Sequence, residues 1–195
     1  MDQLDLPRFS APLQTAAAGD GRNLIAASER LETVIGPSAI AKFAAVTAAG
    51  TSPRVYRLSA DGAQGEHYVG LGGVVVGSDG DRHTLSVEVK PAGTTRLRIQ
   101  LYDRAKGGII GDFDLVGGST TLRKVGTVAE AAGRIAPAGD WHRLELTTTL
   151  GGGSGVILLQ LLNGAGQGAF APAGEAVEMR ALRLERGAML FSSSD

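Results

Sequence analysis

The chain has 195 residues, 43% of them apolar, enough for a real core and too many for a disordered polymer. Its 29 Gly and 7 Pro, with no G-X-Y period, exclude collagen and fit tight turns between short strands; the absence of Cys excludes disulfides, thiolate metal sites and Cys nucleophiles. Lys and Arg number 19 against 20 Asp and Glu, a net charge of −1, which argues against non-specific binding to nucleic acid or to an anionic membrane.

Taken in chain order, residues 1–21 read as a tail, acidic at the start and broken by Pro7 and Pro12. No basic n-region or long apolar h-region is present, so a Sec signal peptide is not expected. No window reaches the roughly 18 apolar residues of a membrane span. The compartment stays open. Residues 22–187 form the expected domain, and 188–195 a second, polar tail. Weak strand signals fall at Asn23–Ala27, Lys42–Thr47, Arg54–Ser59 and His67–Val76. The Ala-rich stretch Ile40–Ala49 overlaps one of them and competes as a helix on propensity.

The strongest alternation follows. In Thr84–Lys90, Leu85, Val87 and Val89 face one way and Thr84, Ser86, Glu88 and Lys90 the other. After the turn at Pro91-Ala-Gly93, Leu97, Ile99 and Leu101 alternate with Arg96, Arg98, Gln100 and Tyr102. This pair reads as an antiparallel hairpin with one wet face. Ile109–Val116 and Leu122–Val125 are further strand candidates, and Thr127–Ile135 is a second Ala-rich helix candidate. In Trp141–Leu150, His142, Leu144 and Leu146 oppose Trp141, Arg143, Glu145 and Thr147. Gly151–Gly155 reads as a hairpin loop. Val156–Leu162, apolar except for Gln160, reads as a central strand covered on both faces. Leu182 and Leu184 alternate with Arg183 and Glu185. Many short strands between Gly-rich turns predict an all-β, two-sheet antiparallel jelly-roll β-sandwich of the concanavalin-like lectin type.

Catalytic motifs are sparse. His67, His83 and His142 lack the partner spacing of a zinc site. His142 shares a strand face with Leu144 and reads as a core or interface residue. His67, next to Tyr68, reads as a strand-edge residue, with a sugar contact as the alternative. Asp79-Gly-Asp81 reads as a hairpin turn. Asp112 and Asp114, about 7 Å apart on one strand face, repel each other unless a cation or an Arg lies between them; they read as solvated loop-edge carboxylates, with structural calcium the one cofactor left open. Neither Gly cluster is a phosphate cradle, and no G-x-S-x-G elbow occurs. No E-x-D-x-x-E or E-x-D-x-E pair is present, so an enzyme is disfavoured.

Binding chemistry is better represented. Sugars are held by aromatic faces and by planar polar groups that pair adjacent hydroxyls. Arg98, Gln100 and Tyr102 supply these on one strand, and Trp141, Arg143 and Glu145 on another. If the two strands share a sheet, they make one polar-aromatic surface. The plainer alternative is a solvated face with weak ion pairs, on which Trp141 seals the sandwich edge.

The order of motifs resembles a known family. It runs from Asn23-Leu-Ile25 through His67-Tyr-Val69, Thr84-Leu-Ser-Val-Glu-Val-Lys90, Arg96-Leu-Arg-Ile-Gln-Leu101 and Asp112-Phe-Asp-Leu115. Gly139-Asp-Trp-His-Arg143 and Met179-Arg-Ala-Leu-Arg-Leu-Glu-Arg-Gly187 complete it. This is similar to the jelly-roll, carbohydrate-binding-module-like domains of phage tail appendages and bacterial surface or glycan-modifying proteins, over residues 22–187. Leu85 and Glu88 stand where that pattern is usually aromatic, and His142 where it has Tyr. The resemblance implies glycan binding or particle attachment, often beside another domain, and no fixed catalytic residues. The expected function is a non-catalytic glycan-binding or adhesion module. The alternatives are a structural or oligomerisation module, as a homo-oligomer or within a carrier assembly, and a polysaccharide lyase or hydrolase.

Overall fold

The computed structural model describes residues 23–25, 41–46, 54–75, 80–103 and 105–187. The two expected tails, 1–21 and 188–195, lie outside them. The described residues contain no helix and form the strands β1 (Ala41–Val46), β2 (Val55–Ala60), β3 (Gly65–Glu66), β4 (Tyr68–Val75), β5 (Arg82–Pro91), β6 (Arg96–Asp103) and β7 (Gly107–Asp114). They continue with β8 (Ser119–Gly126), β9 (Ala131–Ala138), β10 (Trp141–Thr149), β11 (Ser154–Leu162), β12 (Ala169–Phe170) and β13 (Ala176–Arg186).

The strand pairing is nested. Antiparallel partners are β2 with β13, β4 with β11, β5 with β10 and β6 with β7. The first half of the chain thus pairs with the second as one long hairpin would. That hairpin is rolled, so successive pairs fall alternately in a six-stranded sheet, β1-β2-β13-β5-β10-β9, and a five-stranded sheet, β4-β11-β6-β7-β8. This winding is a jelly roll, and the two sheets form an all-β antiparallel sandwich. The short pair β3–β12 stands apart as a clasp.

Rolling overturns several local expectations. Thr84–Lys90 and Arg96–Asp103 are not a hairpin: β5 and β6 lie in opposite sheets, and Pro91–Gly93 begins an arch between them. Gly151–Gly155 likewise leads from β10 across to β11 rather than closing a hairpin. Asp79 lies outside the described residues, but the connection it belongs to joins β4 and β5, again across the sandwich. Period-2 alternation reads the same in a hairpin and in an arch, because it reports only which side chains point inward.

Both helix expectations fail too. Within Ile40–Ala49, Ala41–Val46 is β1, and within Thr127–Ile135 the chain turns and enters β9. Short Ala-rich segments gain little from propensity, and a free sheet edge beside β2 or β10 offers a complete backbone ladder instead. Asn23 and Ile25, expected in a strand, lie outside one; Leu24 still donates its N–H to the Leu184 carbonyl at 2.6 Å.

The core is the alternation made solid. Leu85, Val87 and Val89 of β5, Leu144 and Leu146 of β10 and Leu182 and Leu184 of β13 meet Leu97, Ile99 and Leu101 of β6 and Ile157, Leu159 and Leu161 of β11, all buried. β11 is buried along both faces, as its sequence predicts. In β13 the register shifts between Arg180 and Arg183, and Ala181 there has φ 52°. The extra residue restores parity, so Met179 and Leu182 both point inward.

Candidate ligand-binding face

Each sheet has an outer face, and the two triads singled out from sequence lie on different ones. Trp141, Arg143 and Glu145 belong to β10 in the six-stranded sheet; Arg98, Gln100 and Tyr102 belong to β6 in the five-stranded sheet. They do not form one surface, because the roll sends β6 and β10 to opposite sides of the core.

On the six-stranded sheet, β10 sits between β9 and β5, so Glu145 lies opposite Arg134 and Arg143 lies opposite Glu88. Glu145 is buried and accepts Arg143 Nε at 2.9 Å, with Arg134 Nη2 at 3.3 Å. Arg180 of β13 donates Nε to Glu88 at 2.6 Å and lays its guanidinium over the Trp141 ring, 4.4 Å from the centroid. One face of the indole is therefore already occupied by a cation. These groups largely satisfy one another.

The five-stranded sheet is built differently. Its central strand β11 places Gln160 between Tyr68 of β4 and Arg98 of β6, and β7 places Asp112 opposite Arg98. The row Tyr68–Gln160–Arg98–Asp112 runs across four strands. Arg98 donates Nε and Nη2 to the two Asp112 oxygens at 2.6 and 2.8 Å, a bidentate pair. Gln160 Nε2 reaches Glu66 Oε1 and the Gly168 carbonyl, both at 3.4 Å. A Cβ at Gly168 would lie 2.5 Å from Gln160 Nε2, so a side chain there would displace the amide. The neighbouring row is Leu158–Gln100–Ile110. Gln100 donates Nε2 to Gln160 Oε1 at 3.4 Å, while its own Oε1 is buried and accepts no hydrogen bond. Tyr102 packs with Val156 and Leu158 in a small apolar cluster, against which Tyr68 rests.

Glu66 is exposed at the rim, held there by the clasp, in which Glu66 pairs with Ala169 and Gly65 with Phe170. His67, expected at a strand edge, is wholly buried beneath: its ring lies 4.6 Å from that of Phe170, and Nε2 is 3.2 Å from the Phe170 carbonyl. Burial, and secondarily the Glu66 charge, holds the Tyr68 phenol above its ordinary pKa, so it remains a neutral hydroxyl. The hydrogen bond to Asp112 raises the Arg98 pKa, which secures its positive charge.

Asp112 and Asp114 resolve their repulsion through arginine. Asp112 takes Arg98, and Asp114 accepts from Arg96 Nη2 at 2.8 Å. Among the described residues no three His, Asp or Glu side chains converge as a cation site, and no helix is long and apolar enough to cross a membrane.

The sequence reading thus placed Arg98, Gln100 and Tyr102 on one face, and missed Glu66, Gln160 and Asp112 as their companions. Two signals pointed to them: Gln160 is the lone polar residue in an apolar central strand, and the Asp-x-Asp of β7 needs cations that Arg96 and Arg98 carry. Glu66, on a two-residue strand, carried no signal.

Comparison with known proteins is informative for the fold. No family model and no curated protein matches the sequence. Among solved structures, the chain is similar to the enzymatically active domain of tailspike protein 4 of bacteriophage CBA120, at TM-score 0.50 and 7% identity, over 85% of this chain and 21% of that one. A putative sugar-binding protein from Bacteroides thetaiotaomicron matches at TM-score 0.44 and 11% identity, over 78% and 86% of the two chains. The CBM35 of Cellvibrio japonicus Abf62 matches at TM-score 0.28 and 16% identity, over 67% and 77%. The tailspike likeness extends to the fold alone, and the chain spans about a fifth of that domain.

Proposed function

We propose that this chain is a non-catalytic carbohydrate-binding module whose ligand lies across the outer face of the five-stranded sheet, against Tyr68, Arg98 and Asp112, with the buried amide of Gln160 beneath it. The observation that carries this reading is the row itself: a half-buried phenol, an amide, a guanidinium and a carboxylate side by side, with Glu66 at the rim and the open oxygen of Gln100 behind them. Planar polar groups spaced by neighbouring strands, about 4.8 Å apart, suit adjacent hydroxyls of a sugar ring, and an aromatic edge suits its C–H face. The six-stranded outer face supports a ligand less well, because Glu145, Arg143 and Arg180 already engage one another or Glu88 and Trp141.

The test is a glycan array followed by titration of any hit against the wild type, Arg98→Ala, Tyr68→Ala and Trp141→Ala. The expected result is loss of binding in the first two and retention in the third. Loss only in Trp141→Ala would move the site to the other sheet. Absence of any hit at millimolar sugar would reject the reading.

A further inference from the structure

Resting on that reading, we infer that the site selects sugars that donate hydrogen bonds, amino-substituted above neutral, and rejects acidic ones. Donors, acceptors and charge on the row set this preference. Arg98, the cation of the row, commits Nε and Nη2 to Asp112 and is neutralised by it. The Gln160 amide donates to Glu66 and to the Gly168 carbonyl, and the Gln100 amide donates to Gln160. Three of the five Arg98 N–H groups and one amide N–H of Gln100 stay outside these bonds, but the guanidinium charge is balanced by Asp112.

The acceptors that face a ligand carry the net charge. The Glu66 carboxylate is exposed, and its one hydrogen-bond partner is an uncharged amide at 3.4 Å. Asp112 keeps lone pairs beyond its two arginine bonds. The Gln100 side chain is only 6% exposed, and its Oε1 accepts nothing. That oxygen is enclosed by the protein, so the acceptors a ligand meets directly are the carboxylates of Glu66 and Asp112. After the Arg98–Asp112 pair cancels, the charge left in the row is that of Glu66. A uronate or sulfated sugar would set its anion against Glu66 and Asp112, and the cation of the row, Arg98, is already paired. An ammonium would complement Glu66.

Arg123 is the nearest counter-argument. It is exposed on β8, opposite Ile110, and so lies two strands beyond Gln100. That is about 10 Å across the sheet, where solvent and salt screen most of its charge.

The experiment titrates the full chain with three length-matched oligosaccharides: glucosamine oligomers, cello-oligosaccharides and oligogalacturonates. Each is run at low salt and at about 0.5 M salt. Glucosamine oligomers are expected to bind at least about tenfold more tightly than oligogalacturonates, with the neutral series between. Glu66→Gln should collapse the amino-over-neutral ratio. Arg123→Ala, and Asp140→Asn on an exposed turn elsewhere, should leave the ratio as it was. Equal or tighter binding of the acidic series, or a ratio indifferent to Glu66→Gln, overturns the inference while the glycan reading stands. Binding of none of the three series overturns both.

Discussion

The two outer faces of the sandwich use similar side chains to opposite ends. On the six-stranded sheet, Glu145 sits between Arg134 of the neighbouring strand and Arg143 of its own, and Glu88 sits beside Arg180. Charges on that face close on one another, and the indole of Trp141 is roofed by Arg180. On the five-stranded sheet the pairs Arg98–Asp112 and Arg96–Asp114 sit beside amides and apolar residues, and Gln100 is left with an open oxygen. The lesson is that a polar face is informative through what it leaves unsatisfied. A lattice of ion pairs is a solvated wall; a buried acceptor without a donor is an invitation.

The largest effect bearing on this contrast lies at the end of β6, where the five-stranded sheet is tied to the arch leaving the six-stranded one. Asp103 is buried and accepts the N–H groups of Ala105 and Lys106 at 2.8 and 2.7 Å, and also that of Gly151. Asp103→Ala should cost about 3 kcal/mol, read by urea denaturation, since three amides lose a charged acceptor at once. A loss below about 0.5 kcal/mol would mean that the arch holds without it.

Next is Glu145→Ala. It should cost about 1–2 kcal/mol, with the half-exposed arginines limiting the loss by turning to water, and it should leave sugar binding intact. A double-mutant cycle with Arg143→Ala measures the pair, and loss of sugar binding here would break the contrast between the faces.

Gln100→Met sharpens it from the other side. Removing an open buried acceptor between Leu158 and Ile110 should stabilise the fold by roughly 1 kcal/mol while weakening sugar binding. A variant that gains stability and binds as before would show that Gln100 plays no part in recognition.

Smaller still is Ala181→Gly. A non-glycine residue at φ 52° is strained by about 1 kcal/mol, partly offset by the added chain entropy of glycine, so thermal denaturation should show a gain of about 0.5 kcal/mol.

Acid sensitivity gives the last test. Backbone hydrogen bonds from Gly117 and Val116, with the Arg96 charge, hold the Asp114 carboxyl below its ordinary pKa. Its contribution to stability is complete above the usual carboxylate range and is lost as pH falls through the lowered value. Stability measured against pH should fall there, and Asp114→Asn should flatten part of that fall.

Much of this was legible locally. Leu85, Val87 and Val89, or Leu97, Ile99 and Leu101, announce their burial by alternation alone, and β11 announces its central place by being apolar on both faces. The interruption at Gln160 was visible as well, although its meaning was not. Glu66 could not be found, since two residues make no pattern and their pairing with Ala169 and Phe170 spans about half the chain. The helix expectations at Ile40–Ala49 and Thr127–Ile135 misread stretches whose small side chains suit either state until a sheet edge decides.

Inward and outward assignment within a strand is a property of adjacent residues, because the backbone pleat repeats every two of them; it follows from the amino-acid order without reference to anything distant. The choice of partner strand is of another kind. β5 runs beside β10 and β13, and β6 beside β11 and β7, because that winding buries both apolar faces at once, a gain available only to the whole chain. For that reason the tertiary structure alone determined that Arg98 and Trp141 stand on opposite sides of the molecule, and which of them has Gln160 and Asp112 for company.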